Sequence, residues 1–443
     1  MTTPRATTSS RTTTTSRTTG PADRCGCDEG TSAQRLVSRR SVLRTAVGAL
    51  AAGSASYAVG DVSTQVAFAG TGWTGETLVV LSLHGGFDGL SAVVPGGDAG
   101  YYAARPGIAV PRSTLLGLDQ MFGLHPAMAP LMPFWRNGTF GVVHAVGQDN
   151  PSRSHFSAMQ EMERAAPGTS VRSGWIDRTL GVTGTGAVLN WVAVGVQTPQ
   201  AFAGPQTEVT LQSLADFAVI GPGDDRPTWH QVLRRMHAGA PAAVAAPATT
   251  LLTAMEDVAA LRAKDTGVAN GAIYPAGDLG TAMQQAATLI RSGAPVQVVT
   301  VDYCDWDMHA GVGGVDGGWM RDKLTELSRA MAAFATDIGS KLATTTVLTL
   351  SGFGRRVQEN ASHGLDHGHG NAVLMLGGPV NGGRVHGRWP GLGAGQLLDG
   401  DLAGTTDYRS IIGEVLSKRL GAGATGTIFP GFTGPQLGVV KSR

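Results

Sequence analysis

The sequence predicts an α/β protein with a mostly parallel sheet and helices on both faces. Three observations predict it. Short apolar runs bounded by glycine recur along the chain. Segments with apolar residues at helical spacing lie between several of them. The 443 residues are 42% hydrophobic, enough for a sizeable core, and at about 100–200 residues per domain they make one large or two ordinary domains.

TLVVLSLHGG (Thr77–Gly86) reads as a buried strand opening the sheet, HPAMAPLMPFWRNG as a helix stopped by Gly138, and TFGVVHAVG (Thr139–Gly147) as a second strand. SRSHFSAMQEMERAA (Ser152–Ala166) reads as a helix with a serine-rich start, and LNWVAVG (Leu189–Gly195) as a third strand. From about 221 to 293 the pattern is helical throughout, an expected insertion. VQVVTVD (Val296–Asp302) is again a strand. Met320, Leu324, Leu327, Met331, Phe334, Ile338 and Leu342 then fall at steps of three and four, one apolar face of a long helix. TTVLTLSGFG (Thr345–Gly354) and NAVLMLGG (Asn371–Gly378) are two more strands, and DYRSIIGEVLSKRLG (Asp407–Gly421) is a closing helix.

Residues 1–35 carry almost nothing apolar, so they are expected to be disordered. Arg39-Arg40 then lead into an Ala/Gly-rich apolar segment, and AFA at Ala67–Ala69 offers a cleavage site before Gly70. This is the pattern of a twin-arginine export signal over residues 1–69, followed by one domain over 70–443. The apolar run is short of the roughly 20 residues of a membrane span. The expected location is periplasmic, cell-envelope or extracellular, with the twin-arginine translocase as a partner during export.

Residues 1–69 hold eight arginines and four acids, so the remainder has 26 basic against 29 acidic side chains. That balance gives no reason to expect a nucleic-acid partner. Removing the leader also removes Cys25 and Cys27 and leaves Cys304 as a lone cysteine. There is no G-x-S-x-G and no lysine preceded by glycine, so neither a nucleophile elbow nor a Walker A loop is present.

In parallel α/β sheets, ligand sets gather where strands end at their C-terminal edge. Four clusters occupy such positions: HGGFDGLS with Asp88, GQDNPSRSHF with Ser152 and Ser154, DYCDWDMHAG with Asp307 and His309, and ASHGLDHGHG with Asp366, His367 and His369. Carboxylates and imidazoles at four strand ends would converge on one place, and that mixture favours Zn, Mn or Fe over an oxygen-lined Ca or Mg site. One or two such ions would activate an oxygen nucleophile and stabilise charge on a transferring phosphoryl or sulfuryl group. A hydroxyl at a helix N-terminus, as at Ser154, suits the nucleophile.

LHGGFDGLS, SRSHF, DWDMHAG, SGFGRRVQEN, DHGHGN and GGRVHGRWPGL, in this order, resemble an exported bacterial family catalogued as domain of unknown function 1501, a relative of the alkaline phosphatase and sulfatase superfamily. The resemblance runs from about Leu78 to Phe432. It implies a three-layer α/β/α sandwich, alkaline-phosphatase-like, and no particular substrate. Carried over, it implies Asp88, Asp307, His309, Asp366 and His367 as metal ligands, His369 or His386 as a last metal histidine, and Ser154 as nucleophile. Arg153 or Arg355 would contact the anion. The expected function is an exported hydrolase of phosphate or sulfate esters, dependent on one or two divalent ions (Zn, Mn, Fe or Mg). The alternative is a non-catalytic exported protein of the same fold that binds a partner or an anionic polymer.

Overall fold

The computed structural model describes residues 62–68, 74–148, 152–183, 192–194, 200–205, 209–211, 226–241, parts of 244–259, and 267–443 apart from 294 and 424. Its centre is an eight-stranded sheet. The strands are β1 (Val62–Phe68), β2 (Thr77–Leu83), β3 (Phe140–Gly147), β4 (Val296–Tyr303), β5 (Thr345–Leu350), β6 (Asn371–Gly377), β7 (Val385–His386) and β8 (Thr406–Asp407). They lie in the order β1-β4-β2-β5-β6-β3-β7, with β8 also paired to β3. Strands β4, β2 and β5 pair in parallel; β1 is antiparallel to β4, and β6 is antiparallel to both β5 and β3. Strands β7 and β8 run parallel to β3, so six strands point one way and β1 and β6 the other. The α/β class and the mostly parallel sheet are as the sequence predicts.

Side chains alternate between the sheet's two faces at period two, which sorts each strand between two cores. Val79, Leu81 and Leu83 of β2 join Val299 and Val301 of β4 in one core, while Leu78, Val80 and Val298 join the other. The first core is covered by Asp278–Arg291 and Trp319–Asp337, the second by His155–Arg164 (α1), Trp175–Thr183 (α2) and Tyr408–Lys418. Trp319–Asp337 forms where the apolar spacing predicts it: Met320, Leu324, Leu327, Met331 and Phe334 are all buried. It stops before Gly339, whose φ of +52° suits a left-handed cap that side-chain-bearing residues rarely adopt.

Several expectations change in detail. Asp278–Arg291 packs Leu279, Met283 and Ile290 into the first core, so this last piece of the expected helical insertion is a component of a main layer. Arg226–His237 is helical as predicted, and much of the segment between them lies outside the described residues. Val192–Val194 pairs with Val209–Leu211 in a separate two-stranded sheet rather than joining the central one. Val62–Phe68, assigned by sequence to the leader, is an edge strand of the main sheet, so the predicted cleavage motif begins inside a strand. Cys304, next after β4, is buried. No helix among the described residues is long and apolar enough to cross a membrane.

Strands β2, β3, β4 and β5 all end at one edge of the sheet, and β6, running the other way, begins there. The segments that the sequence singles out leave from that edge.

Candidate metal centre

After β4 the chain turns at Asp305, whose φ is +70°, and the buried residues Trp306 and Met308 then alternate with Asp307 and His309. The two apolar side chains anchor the segment in the first core, which puts Asp307 and His309 together on the open side. The D-x-H spacing therefore leaves both polar side chains away from the core.

The histidine-rich loop is laid over this segment by backbone contacts. Leu365 N–H donates to Met308 O at 2.9 Å, and Arg355 and His367 form an antiparallel bridge. Gly364 is required for the contact, since a Cβ there would sit 1.9 Å from His309 O. Gly368 is required likewise, with the Arg355 carbonyl carbon 2.4 Å from any Cβ. The glycines that space the histidines thus permit close backbone approach.

His155, Asp307, His309 and His367 converge here, with one ligand atom from each lying within 4.8 Å of the others. His309 Nε2 is 3.0 Å from Asp307 Oδ1 and 2.9 Å from His367 Nε2. His367 Nε2 is 3.3 Å from Asp307 Oδ1, and His155 Nε2 is 3.4 Å from Asp307 Oδ2. A tetrahedral ion with bonds of about 2.0–2.1 Å separates its ligand atoms by about 3.3 Å, so the spacing fits the group.

The opposite nitrogens of two rings are already committed. His367 Nδ1–H donates to Arg153 O at 2.6 Å, and His309 Nδ1–H donates to Asp366 Oδ1 at 3.1 Å. Because each acceptor has no proton to give, Nδ1 carries the hydrogen in both rings. Both Nε2 atoms therefore present lone pairs to one another unless a proton or cation lies between them. This is how metal-ligating histidines are usually held.

Burial pushes the Asp307 pKa up, but the contacts with His155 and His367 and the Arg355 cation outweigh it and hold the carboxyl far below the usual carboxylate range. Asp307 is thus an anion facing three imidazoles. The side chains of His309 and Asp307 are 44% and 33% exposed against 10% for His155, so the centre opens to solvent on one side.

Of the sequence-predicted residues, Asp307, His309 and His367 meet in this group. Asp366 stands behind His309, where its Oδ1 also accepts from Asn360 Nδ2 at 3.0 Å. Asp88 is not part of the group. It is buried, its two oxygens accept from Arg105 Nη1 at 2.6 Å and Nη2 at 3.0 Å, and it caps the short helix Gly89–Ala92. Burial raises its pKa and the Arg105 cation more than reverses this, so the pair is an internal ion pair. His369 is buried with its ring against Gly147 and Gly404, and His386 lies on strand β7 with Nε2 bonded to Asn381 O. Neither joins the group.

Arg355 does not point at open space. It is buried and donates to Gly86 O, Gly85 O, Leu365 O and Trp306 O as well as to Asp307 Oδ1 at 2.6 Å, clamping the loops together. Arg153 is bound to Asp401. Ser154 is exposed at the N-cap of α1, and its hydroxyl does not cap the helix. His155 was not singled out from the sequence. Its signal in the sequence is an imidazole on the first turn of a helix that follows a strand, one residue after Ser154.

Residues 138–408, more than half of the chain, match the family described as "Protein of unknown function (DUF1501)". The chain belongs to the DUF1501 family. The matched span holds all four residues of the centre, while Asp88 lies before it. No curated protein and no solved structure gives a significant match to this DUF1501 chain.

Proposed function

We propose that this DUF1501 protein is an exported divalent-metal protein whose centre at His155, Asp307, His309 and His367 serves hydrolysis of phosphate or sulfate esters. The observation that carries the metal is the pair of Nε2 atoms 2.9 Å apart with both Nδ1 hydrogens committed elsewhere. Three imidazoles and one carboxylate favour Zn, Fe or Mn over Mg. An ion bound there supplies Lewis acidity toward an ester oxygen.

The remaining roles fall to the chain. Asp307 is kept ionised and oriented by Arg355, and Asp366 and the Arg153 carbonyl fix the tautomers of His309 and His367. Ser154 lies next in sequence to His155 at the start of a ten-residue helix, whose first N–H groups lack partners within the helix and welcome an anion. Its hydroxyl is the candidate nucleophile. The alkaline-phosphatase-like architecture is part of this proposal, supported by three layers around a mostly parallel sheet and by the sequence resemblance. An anionic ester or polymer is the proposed substrate, and export by the twin-arginine translocase follows from the leader pattern.

One observation favours the non-catalytic reading. Arg153 and Arg355, the arginines expected to hold an anion, are engaged with Asp401 and with Asp307 and backbone carbonyls. The test is turnover of aryl phosphate and aryl sulfate by purified protein loaded with Zn or Mn, compared with Ser154→Ala and His309→Ala. Turnover lost in both variants supports the hydrolase. Turnover unchanged in Ser154→Ala removes the serine's role, and none in metal-loaded wild type leaves the binding reading.

A further inference from the structure

A second group of possible ligands lies apart from the centre: His84, Glu163 and Asp302, with one ligand atom each within 4.8 Å of the others. The three come from different elements of the same region. His84 follows β2, Asp302 lies near the end of β4, and Glu163 lies on α1, eight residues after His155 and so about 12 Å further along the helix axis. Backbone bonds hold the first two in place: His84 N–H donates to Tyr303 O at 3.0 Å, and Trp306 N–H donates to His84 O at 3.1 Å.

His84 Nε2 lies 3.3 Å from Asp302 Oδ1, and although burial lowers the His84 pKa, the Asp302 carboxylate more than reverses this. That separation is about the edge of a tetrahedron around an ion with bonds of about 2.0–2.1 Å. Two carboxylates brought together in a sheltered place repel one another unless a cation or a proton comes between them. Burial, and then the Asp302 charge, push the Glu163 pKa up to about 7, which expresses the same strain. Glu163 and Asp302 also line a cavity of about 10 Å³ together with Ser82 and Thr300; its other walls are apolar, and His84 is not among them.

We propose that His84, Glu163 and Asp302 bind a second divalent cation of the Zn or Mn class, tying helix α1 to the ends of β2 and β4. Because His155 lies on the same helix, such an ion braces one wall of the open centre. The proposal does not depend on hydrolysis or on the first site being filled.

The experiment is metal stoichiometry of the full chain, stripped with chelator, dialysed against Zn or Mn and measured by elemental analysis. Three proteins are compared: wild type, His84→Ala/Asp302→Asn, and His309→Ala/His367→Ala. Two ions in wild type and one in each double variant is the expected result. One ion that disappears from the His309/His367 variant and persists in the His84/Asp302 variant overturns this proposal and leaves the open centre standing. One ion with the opposite pattern keeps this proposal and removes the other, and no ion in any protein overturns both. Should a variant fail to fold, anomalous scattering from wild-type crystals soaked in Mn or Zn decides: a peak between His84 Nε2, Glu163 and Asp302 supports the site, and its absence at saturating metal overturns it.

Discussion

His309 and His367 approach each other through Nε2 at 2.9 Å while their Nδ1 atoms donate to Asp366 and to the Arg153 carbonyl. Removing the carboxylate behind His309 should therefore weaken metal binding without removing a ligand. Asp366→Ala is expected to lower Zn affinity about 10–100-fold. Competition with a chromogenic chelator measures it, and an unchanged affinity would show that Asp366 does not orient the ring.

Protons compete with metal for the same lone pairs. Zn affinity is expected to fall steadily as pH is lowered, and binding should release protons into a weakly buffered solution. Calorimetry in two buffers of different ionisation enthalpy reads the proton count; zero would contradict metal binding through these imidazoles.

Asp88 is predicted to act in stability rather than in metal binding. Asp88→Ala leaves the Arg105 cation buried without its carboxylate partner, a loss of about 3–5 kcal/mol in denaturant unfolding. Metal stoichiometry of folded Asp88→Asn should match wild type. Loss of an ion there would return Asp88 to the ligand set.

His125 and His144 are both buried, and burial lowers the pKa of each to about 4. The unfolded chain takes up these two protons near pH 6.5 and the folded protein only near pH 4. Stability from this source is therefore complete above pH 6.5 and is lost as pH falls toward 4, by about 1.4 kcal/mol per pH unit for each histidine. Urea unfolding of wild type against His125→Gln/His144→Gln should show a shallower pH slope in the variant over that window. Parallel slopes would refute the assignment.

Ser154 precedes α1 without capping it. Ser154→Ala should then change stability by less than about 0.5 kcal/mol, against the roughly 1 kcal/mol of a lost cap. A thermal melt beside the turnover assay separates a chemical role from a structural one.

The strands, the long helix and the crowding of chemistry at one sheet edge were legible in the sequence because they rest on local periodicity. Asp307, His309 and His367 were found because they lie in loops at that edge. Position along the chain did not say which acid serves which partner. Asp88 meets a cation seventeen residues away, Asp366 supports a histidine fifty-seven residues away, and His155 joins the centre through the seating of α1. The direction of β6 was equally hidden, and it is that reversal which brings the loop carrying His367 to the edge where β4 ends. By itself, the sequence determined which segments become strands and helices, since the period of apolar residues is a property of neighbours. Only the tertiary structure decided which polar atoms face one another, since ligand geometry depends on separations of about 3 Å between residues that the chain holds far apart.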